Sequence, residues 1–550
     1  MSINIKQVSS LEKIRSFSDI KTEISEKTLL KGEVFSFQQV IYSDSQSEIE
    51  VSVDSELKNY IKLYQVKETP MDFPCIAHFS DDDYITKEPG LMPDLLIPLE
   101  DQNNFIKVYK DFATIWAEVC LPKDIAPGSY SINIKYNGRT LEVPEGKITE
   151  SKSISLDILN LELPEQEIKV TQWFHTDCIA SVYNVPVYSE AHWDLIDKYM
   201  KAATEQGINM ILTPVITPPL DTKPGALRPN TQLVKITKSG SSYSFDFSLL
   251  KRFIDLAKNN GLKYFEISHL FSQWGLKYSP NIYATENGEE KRIFGWHVPA
   301  RDESYKEFLN QFLPELTGFL RKEQIIDNCY FHISDEPNLT HLDAYRYAYE
   351  TVKPLLEGVK IFDALSSLDF YEKGLVSIPV TATNHIDPFL EKNIENQWAY
   401  YCCEQGDKTA NRFLAMPSYR NRILGLQLYK YDIKGFLQWG FNFYYSQLSV
   451  FKINPYVTTS AEKSFPSGDP FSVYPGANGP LPSLRAKVFK EALQDISLCR
   501  LLEKYIGKEN VVKFIEDKAE MEITFSKYPR NSVFSLDLDK AIKNELKKYI

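Results

Sequence analysis

The stretch that decides the fold is Tyr330-Phe331-His332-Ile333-Ser334-Asp335-Glu336-Pro337, a short apolar run that ends in two carboxylates and a proline. Apolar runs of this length are typical of buried strands. Seven more occur between residues 163 and 505, usually with an amphipathic helical pattern in between. The eight predicted strands are Ile168–Phe174, Asn209–Thr213, Tyr264–Ile267, Tyr330–Ile333, Lys360–Ala364, Val380–Ala382, Trp398–Tyr401 and Gly435–Gly440.

Amphipathic helices are predicted between most of these strands, for example at His192–Glu205, Leu249–Asn259, Ser304–Leu320 and Leu342–Leu356. Eight strand–helix units over roughly 330 residues are the number expected of a (β/α)8 barrel. An open doubly wound sheet would instead carry a glycine-rich turn after an early strand, and the sequence contains neither GxGxxG nor GxxxxGKS/T. We therefore predict an α/β protein in which residues 163–505 form a TIM-like (β/α)8 catalytic barrel.

Two segments flank the predicted barrel. Residues 1–162 alternate apolar and polar positions in short runs, the period-two pattern of half-buried strands. Turn signals such as Asn137-Gly138 separate these runs, so the segment is predicted to be an N-terminal β-sandwich accessory domain. Residues 506–550 are predicted to form a short C-terminal helical appendage.

The composition describes a globular chain of 550 residues with a net charge of −12. Nucleic acids and anionic membranes require a positive field, so we expect neither as a partner. No apolar run of about 18 residues occurs, so no membrane insertion is expected. The N-terminus carries no basic segment followed by an apolar one. Seven scattered cysteines without a CxxC pair indicate a reduced compartment, so a cytoplasmic location is expected, while the oligomeric state is left open.

Asp335 and Glu336 are the candidate catalytic residues, because active sites of barrels lie at the carboxyl ends of the strands. The alternative is that Asp335 caps the following helix and Glu336 faces solvent. A retaining glycosidase with a protein nucleophile needs carboxyl groups about 5–5.5 Å apart across the sugar, and an inverting one needs about 6.5–9.5 Å. Consecutive residues on one strand end hardly face each other in this way. They suit substrate assistance, in which a 2-acetamido oxygen of the sugar is the nucleophile.

Aromatic, acidic, amide and histidine side chains follow the other predicted strands. Sugars bind by stacking their apolar faces on aromatic rings while their hydroxyls hydrogen-bond to polar side chains, so this mixture predicts a pyranose site. For any single aromatic residue, packing in the core is the alternative. The predicted substrate-binding residues are His175, Asp177, His269, Trp274, Asn384, Trp398, Tyr400 and Trp439, together with Asp469 and Tyr474 in the loop 466–482.

No cofactor and no metal ion is predicted. The eight histidines form no HExxH motif and no His/Cys cluster in the sequence. No GxSxG motif offers a nucleophilic serine. The vicinal pair Cys402-Cys403 is interpreted as buried packing and not as a redox centre.

The sequence resembles glycoside hydrolase family 123, the β-N-acetylgalactosaminidases, over nearly the whole chain. The resemblance is carried by Ser334-Asp335-Glu336-Pro337, by the loop Ser467-Gly468-Asp469-Pro470-Phe471-Ser472-Val473-Tyr474-Pro475-Gly476, and by Gly435-Phe436-Leu437-Gln438-Trp439-Gly440. The segment Gly32-Glu33-Val34-Phe35-Ser36-Phe37-Gln38 is similar to the accessory β-domain of that family.

The resemblance implies exo-hydrolysis of terminal β-linked N-acetylgalactosamine with retention, through an oxazoline-type intermediate. Carbohydrate partners such as glycosphingolipid oligosaccharides are implied as substrates. On this sequence Asp335 would steady the acetamido group and Glu336 would be the acid/base. A broader β-N-acetylhexosaminidase and a non-catalytic carbohydrate-binding protein are the alternative functions.

Overall fold

The computed structural model of the chain describes residues 3–20, 22–142 and 146–549. Its strands and helices alternate along most of the sequence. In chain order they are β1 (Asn4–Ser9), β2 (Glu26–Lys31), β3 (Val34–Tyr42), β4 (Gln46–Asp54), β5 (Ile61–Met71), β6 (Gly90–Pro98), β7 (Phe105–Tyr109), β8 (Phe112–Cys120), β9 (Gly128–Thr140), β10 (Lys147–Glu162), β11 (Lys169–Gln172), α1 (Thr176–Tyr183), α2 (Glu190–Glu205), β12 (Met210–Thr213), β13 (Lys235–Ser239), β14 (Ser242–Asp246), α3 (Ser248–Asn259), β15 (Tyr264–Ile267), β16 (Ile282–Glu286), β17 (Glu289–Phe294), α4 (Glu303–Lys322), β18 (Cys329–Phe331), α5 (Leu342–Val352), β19 (Lys360–Leu365), α6 (Asp369–Glu372), β20 (Ile378–Ala382), α7 (Asp387–Glu391), β21 (Trp398–Tyr400), α8 (Ser418–Arg422), α9 (Leu424–Lys430), β22 (Gly435–Gln438), β23 (Val473–Gly476), β24 (Gly479–Pro482), α10 (Leu484–Ile506), α11 (Lys508–Ala519) and α12 (Ser532–Leu546).

The chain divides into two compact units. The first unit comprises residues 1–167, 406–430 and 481–550, and the second comprises residues 168–405 and 431–480. The division into domains 1–162, 163–505 and 506–550 stays a prediction. No helix of the described residues is both long enough and apolar enough to cross a bilayer.

The first unit contains two five-stranded sheets. Their strand orders are β1-β3-β8-β5-β6 and β2-β10-β9-β4-β7, and every pairing is antiparallel except that of β2 with β10. The apolar positions of both sheets meet in one buried cluster, which includes Phe37, Ile115 and Ile134. The alternating pattern of this segment therefore produces the predicted β-rich domain, because period-two strands can bury one face each.

The second unit contains a closed parallel barrel of eight strands, so the predicted fold class is confirmed. The strand order is β11-β12-β15-β18-β19-β20-β21-β22, and β22 pairs with β11 to close the ring. Each of the eight predicted strands overlaps one of these barrel strands, and Tyr264–Ile267 has the same bounds as β15. The barrel interior is filled by large side chains such as Tyr330, Phe362 and Trp398, which is why it is a packed core.

Two insertions after barrel strands carry structure of their own. The loop after β12 contains the hairpin β13–β14, and the loop after β15 contains the hairpin β16–β17. The two hairpins join in a four-stranded sheet with the order β14-β13-β16-β17. Loops at this end of a barrel are where functional residues are expected.

Candidate active site

A pocket of the second unit lies at the carboxyl ends of the barrel strands. It receives side chains from the loops after β11, β12, β15, β18 and β22 and from the ends of β19 and β21. Its lining residues are Trp173, His175, Leu220, Asp221, Gln273, Trp274, Asp335, Glu336, Ala364, Tyr400, Cys402, Cys403, Leu437, Trp439 and Phe465. The mixture of aromatic rings and carboxylates fits a sugar site.

Asp335 and Glu336 face this pocket from the loop after β18. Asp335 is 3% exposed, and its Oδ2 accepts a hydrogen bond of 2.6 Å from Nε2 of Gln273. Glu336 keeps some exposure, and its Oε1 accepts a hydrogen bond of 2.7 Å from the hydroxyl of Tyr400. Glu336 has a left-handed backbone with φ of +43°, as do Trp274 and Asp221 in the same pocket. Strained backbone of this kind persists only where the surrounding structure holds it, and it clusters at functional sites.

Both catalytic candidates hold their protons more tightly than free carboxyl groups do. Burial, together with the charge of Glu336, raises the pKa of Asp335 well above its usual range, against the hydrogen bond from Gln273 and the charge of His332. Burial also raises the pKa of Glu336, against the hydrogen bond from Tyr400. Because the two carboxyls repel each other when both are ionised, they titrate as a pair. One of them therefore carries a proton at a pH where an isolated carboxyl is ionised.

Aromatic rings form much of the pocket wall. Trp274 is 43% exposed, whereas Trp173 is buried and donates its indole N–H to Glu266 over 2.7 Å. Trp439 donates its indole N–H to Oδ2 of Asp469 over 2.9 Å. Asp469 is itself fully buried and does not line the pocket, so it orients Trp439. Rings held by hydrogen bonds in this way offer fixed faces to a ligand.

His175 is a neutral donor at the pocket edge. Its Nε2 lies 2.9 Å from the carbonyl oxygen of Trp439, so this nitrogen carries the proton, and Nδ1 accepts from Arg228 over 3.2 Å. Burial and the charge of Arg228 lower the pKa of His175 to about 3. Arg228 also forms two hydrogen bonds of 2.7 Å with Asp177. Asp177 thus neutralises Arg228 behind the pocket and does not line it.

Two polar residues of the pocket were not predicted from the sequence. Asp221 follows β12, and burial raises its pKa to about 6, against the charge of Arg228. Gln273 precedes Trp274 in the loop after β15 and connects the backbone N–H of Asp221 to Asp335. Only their position after a barrel strand could have indicated these two residues, because neither lies in a recognisable sequence motif. The apolar wall residues Leu220 and Phe465 were missed for the same reason.

Besides Asp177 and Asp469, four more of the predicted binding residues do not line the pocket, so the role of these six in substrate binding stays a prediction. His269 is fully buried and stacks on His332 with ring centroids 4.0 Å apart. Trp398 is 1% exposed and belongs to the barrel core. Tyr474 is fully buried against Phe471, and Asn384 is exposed and accepts a hydrogen bond from Gln405. Of the ten predicted binding residues, His175, Trp274, Tyr400 and Trp439 line the pocket.

The vicinal thiols lie in the pocket wall and are protonated at neutral pH. The hydrogen bond between them and burial raise the pKa of Cys402 well above its usual range. The hydrogen bond that Cys403 accepts from Cys402 lowers the pKa of Cys403, but burial and the neighbouring carboxylates together outweigh it, so this pKa is raised as well. Thiols in this state are weak nucleophiles, so they act as apolar wall groups.

A buried ion network lies in the barrel interior. Nε2 of His332 is 2.6 Å from Glu266 and Nδ1 is 2.9 Å from Asp363. Because Glu266 also accepts from the indole of Trp173 and Asp363 from the backbone N–H of Ile333, both acids act as acceptors and His332 donates from both nitrogens. Burial lowers the pKa of His332, but Asp363 and Glu266 outweigh it and raise that pKa to about 9.

His269, His332 and Asp363 also place one ligand-type atom each within 4.8 Å of one another. The two imidazole rings are stacked, with an interplanar angle of 10°. Their nitrogen lone pairs lie in parallel planes and do not converge on one ion, as tetrahedral coordination requires. The three residues therefore do not form a ligand set: His332 and Asp363 belong to the ion network, and His269 stacks on His332.

A larger cavity of about 1050 Å³ lies in the first unit. It is bordered by strands β2, β9 and β10 and by helices α10 and α12. Its charged residues are largely engaged with one another, as in the pair of Arg422 with Asp495 at 2.8 Å. Size alone does not identify a site, and a buried carboxyl with a raised pKa, Glu491, borders this cavity as well. The barrel pocket lies at the carboxyl ends of the strands and holds two adjacent carboxyls among aromatic rings, so the barrel pocket is the candidate active site.

A closed (β/α)8-type barrel with two adjacent carboxyls among aromatic rings, one buried and one partly exposed, has the fold and site chemistry of the glycoside hydrolase class. The sequence matches the family described as "Glycoside hydrolase 123, catalytic domain" over residues 173–502, which is more than half of the chain. The chain therefore belongs to glycoside hydrolase family 123. No curated protein matches the sequence.

A solved structure shares this fold over the whole chain. The chain is similar to a family 123 glycoside hydrolase from Clostridium perfringens, with a TM-score of 0.75, 17% identity, and coverage of 100% of this chain and 99% of that one. That structure was determined to explain the hydrolysis of glycolipid glycans by the Clostridium enzyme. A Bacteroides uniformis β-glucuronidase aligns with a TM-score of 0.30 and 11% identity over 84% of this chain and 48% of its own.

Proposed function

We propose that the chain is a retaining exo-β-N-acetylgalactosaminidase that uses the 2-acetamido group of its substrate as the nucleophile. The observation that carries the proposal is the pair of consecutive carboxyls, Asp335 and Glu336, at the end of one strand and in one pocket. Consecutive residues present both groups from the same side of a sugar. This arrangement suits one group that orients the acetamido substituent and one that transfers protons.

The roles of the two carboxyls follow from their surroundings. Glu336, with its raised pKa, begins as the acid and protonates the leaving glycosidic oxygen. The acetamido oxygen attacks C1 from the opposite face, and the C1–O bond to the aglycone breaks. Asp335 accepts the acetamido N–H and stabilises the positive charge that develops on the oxazoline-like ring. Glu336, now ionised, then removes a proton from water as the water opens that ring.

Other pocket residues are placed to bind the sugar. The rings of Trp173, Trp274 and Trp439 offer apolar faces, and Asp221 offers a carboxylate for hydroxyl groups. The Clostridium relative acts on glycolipid glycans, and we propose the same class of substrate for this chain. The choice of N-acetylgalactosamine over N-acetylglucosamine, which differ in the configuration at C4, rests on the family resemblance.

The proposal is tested with aryl β-glycosides of N-acetylgalactosamine, N-acetylglucosamine and galactose that share one fluorogenic leaving group. We expect cleavage of the first, slower cleavage of the second and none of the third. Comparable cleavage of the first two supports the broader hexosaminidase. Cleavage of the galactoside at a similar rate contradicts substrate assistance, because that sugar has no acetamido group. If none is cleaved, the carbohydrate-binding alternative is favoured.

A covalent trap separates substrate assistance from a protein nucleophile. Asp221 is the third carboxylate among the pocket-lining residues, so the trap must exclude it as a protein nucleophile. We expect no mass increase on incubation with an activated 2-deoxy-2-fluoro galactoside, and strong inhibition by a thiazoline analogue of the intermediate. A fluorosugar adduct on Asp221 would contradict the proposed mechanism. Asp221→Asn should raise KM more than it lowers kcat, since it binds and does not react.

A further inference from the structure

Gln273 has only one possible orientation in the pocket. Its Oε1 lies 2.6 Å from the backbone nitrogen of Asp221, and its Nε2 lies 2.6 Å from Oδ2 of Asp335. A backbone N–H can only donate, so the oxygen end of the amide must face Asp221. The NH2 end consequently faces Asp335, and the assignment of the two amide atoms follows from the chemistry of the backbone.

The backbone of Asp221 is itself fixed. Its carboxylate Oδ2 accepts the backbone N–H of Leu448 over 2.9 Å, and its carbonyl oxygen accepts the hydroxyl of Ser449 over 2.6 Å. These contacts hold Asp221 in a left-handed conformation with φ of +37°. The fixed backbone N–H of Asp221 orients the amide of Gln273, so the hydrogen bond from Gln273 to Asp335 has a fixed direction.

The two oxygens of Asp335 are therefore different. Oδ2 accepts from Gln273, which favours the ionised form of the carboxyl. Oδ1 has no hydrogen-bond partner among residues 3–20, 22–142 and 146–549. A carboxylate with one occupied and one open oxygen can take a single further donor in a defined direction.

We propose that Gln273 is a positioning residue: its amide holds Oδ2 of Asp335 and leaves Oδ1 as the acceptor of the substrate's acetamido N–H. The proposal rests on the proposed function, since it assigns Asp335 to that N–H. Gln273 opposes both influences that favour a protonated Asp335, which are its burial and the neighbouring Glu336. Other charged groups that face Asp335 are His332 and Asp363, and they act in opposite directions.

The test uses two substitutions of nearly equal shape. Gln273→Glu keeps an oxygen for the N–H of Asp221 but replaces the donor to Asp335 by a carboxylate oxygen. Gln273→Met keeps the length of the side chain and removes both hydrogen bonds. Gln273 lies in a partly exposed loop position, so both variants should fold, and thermal unfolding checks this.

With an activated aryl glycoside of the sugar that the wild type cleaves, we expect kcat to fall in the order wild type, Gln273→Met, Gln273→Glu. The loss in Gln273→Met should be about tenfold or more, as for a hydrogen bond to a charged group. The acid limb of its kcat profile should move to higher pH, because Asp335 loses the donor that favours ionisation. The new carboxylate of Gln273→Glu should move that limb further, through like-charge repulsion.

The opposite order overturns the proposal. If Gln273 merely braces the loop through Asp221, Gln273→Glu should approach wild-type activity and Gln273→Met should be the weaker variant. An acid limb at the wild-type pH in both variants also contradicts the proposal. Failure of the proposed function appears separately, as cleavage of the plain galactoside by the wild type, and it does not depend on the order of the variants.

Discussion

The proposed reaction needs one carboxyl that keeps its proton to a higher pH than a free carboxyl does, and burial raises the pKa of Glu336 in this direction. Glu336→Gln removes the proton donor and keeps the shape. We expect turnover of a natural glycan to fall by about 10²–10⁴-fold, and turnover of an aryl glycoside with a good leaving group to fall much less. Steady-state rates on both substrates measure this.

The matched control is Glu404→Gln, which makes the same change at an exposed residue close enough to influence Glu336. Its rates should stay near those of the wild type. Equal losses on both substrates in Glu336→Gln would remove Glu336 as the acid.

The buried carboxyl of Asp335 should destabilise the folded protein at neutral pH. Its pKa in the folded protein is raised by burial and by Glu336 above the unfolded value, which is about 3.9. The folded state therefore disfavours ionisation, and this penalty grows as the pH rises from about 4 toward the folded pKa. Asp335→Asn should lose most activity and gain about 0.5–2 kcal/mol of unfolding free energy at pH 7. The gain should disappear near pH 4, where the wild-type carboxyl is protonated.

Urea unfolding at the two pH values measures this difference. Asp82→Asn, at a fully exposed side chain, is the control and should change stability by less than about 0.5 kcal/mol. A gain of the same size at both pH values would show that the carboxyl charge is not its cause.

A functional residue was predictable from the sequence where a reactive side chain stands at the end of a predicted barrel strand. Asp335 and Glu336 are unusual at the end of an apolar strand, so their exceptional position was visible. Gln273 and Asp221 were not, because an amide and an acid in long loops look like ordinary surface residues. His269 and Trp398 show the opposite case: both adjoin barrel strands, but their side chains point into the packed interior, and only the three-dimensional fold reveals that direction.

Strand β22 can lie close to Trp398 of β21 because Gly435 has no side chain. An added Cβ at Gly435 would lie 2.2 Å from the ring of Trp398, which fills the barrel core. Gly435→Ala should therefore destabilise the second unit by about 1–3 kcal/mol through overpacking. Gly318→Ala makes the same change on an exposed face of α4, where nothing lies within 4 Å.

That control should stabilise the protein by about 0.5–1 kcal/mol, because alanine favours a helix. Thermal unfolding of the two variants should thus shift in opposite directions. Stabilisation by both substitutions would mean that the loss of backbone freedom in the unfolded chain outweighs the clash of the new Cβ at Gly435 with Trp398.

Elements were predicted well where apolar patterns were short and strong. The eight barrel strands are buried on both sides, so their sequences are nearly continuous apolar runs. The hairpins β13–β14 and β16–β17 were not predicted. Strand β13 (Lys235–Ser239) is mostly exposed and polar, and the two hairpins are joined by the pairing of β13 with β16, which comes from a different insertion. Pairing between distant segments leaves no local pattern.

At the scale of the whole molecule, residues near the two ends of the chain belong to one compact unit. Lys543 on α12 is 1% exposed at its side chain and lies 2.7 Å from Glu33, which is 510 residues away, and 2.8 Å from Asp539. Removing one partner of a buried ion pair leaves uncompensated charge, which costs about 3–5 kcal/mol. Such a contact is invisible in the sequence, since Lys543 fits the polar pattern of a surface helix.

Lys543→Met should therefore lower the unfolding free energy of the first unit by roughly 3 kcal/mol or more, and deletion of residues 531–550 should prevent that unit from folding stably. Lys540→Met is the matched control. It lies on the same helix, and its pair with Glu26 is exposed at 65% and 74%, so it should cost at most about 1 kcal/mol. Urea unfolding monitored by far-UV circular dichroism distinguishes the two. Equal, small losses would mean that α12 contributes little to the stability of the first unit. A large loss for Lys543→Met only would show that the buried ion pairs of α12 stabilise the unit that the N-terminal strands belong to.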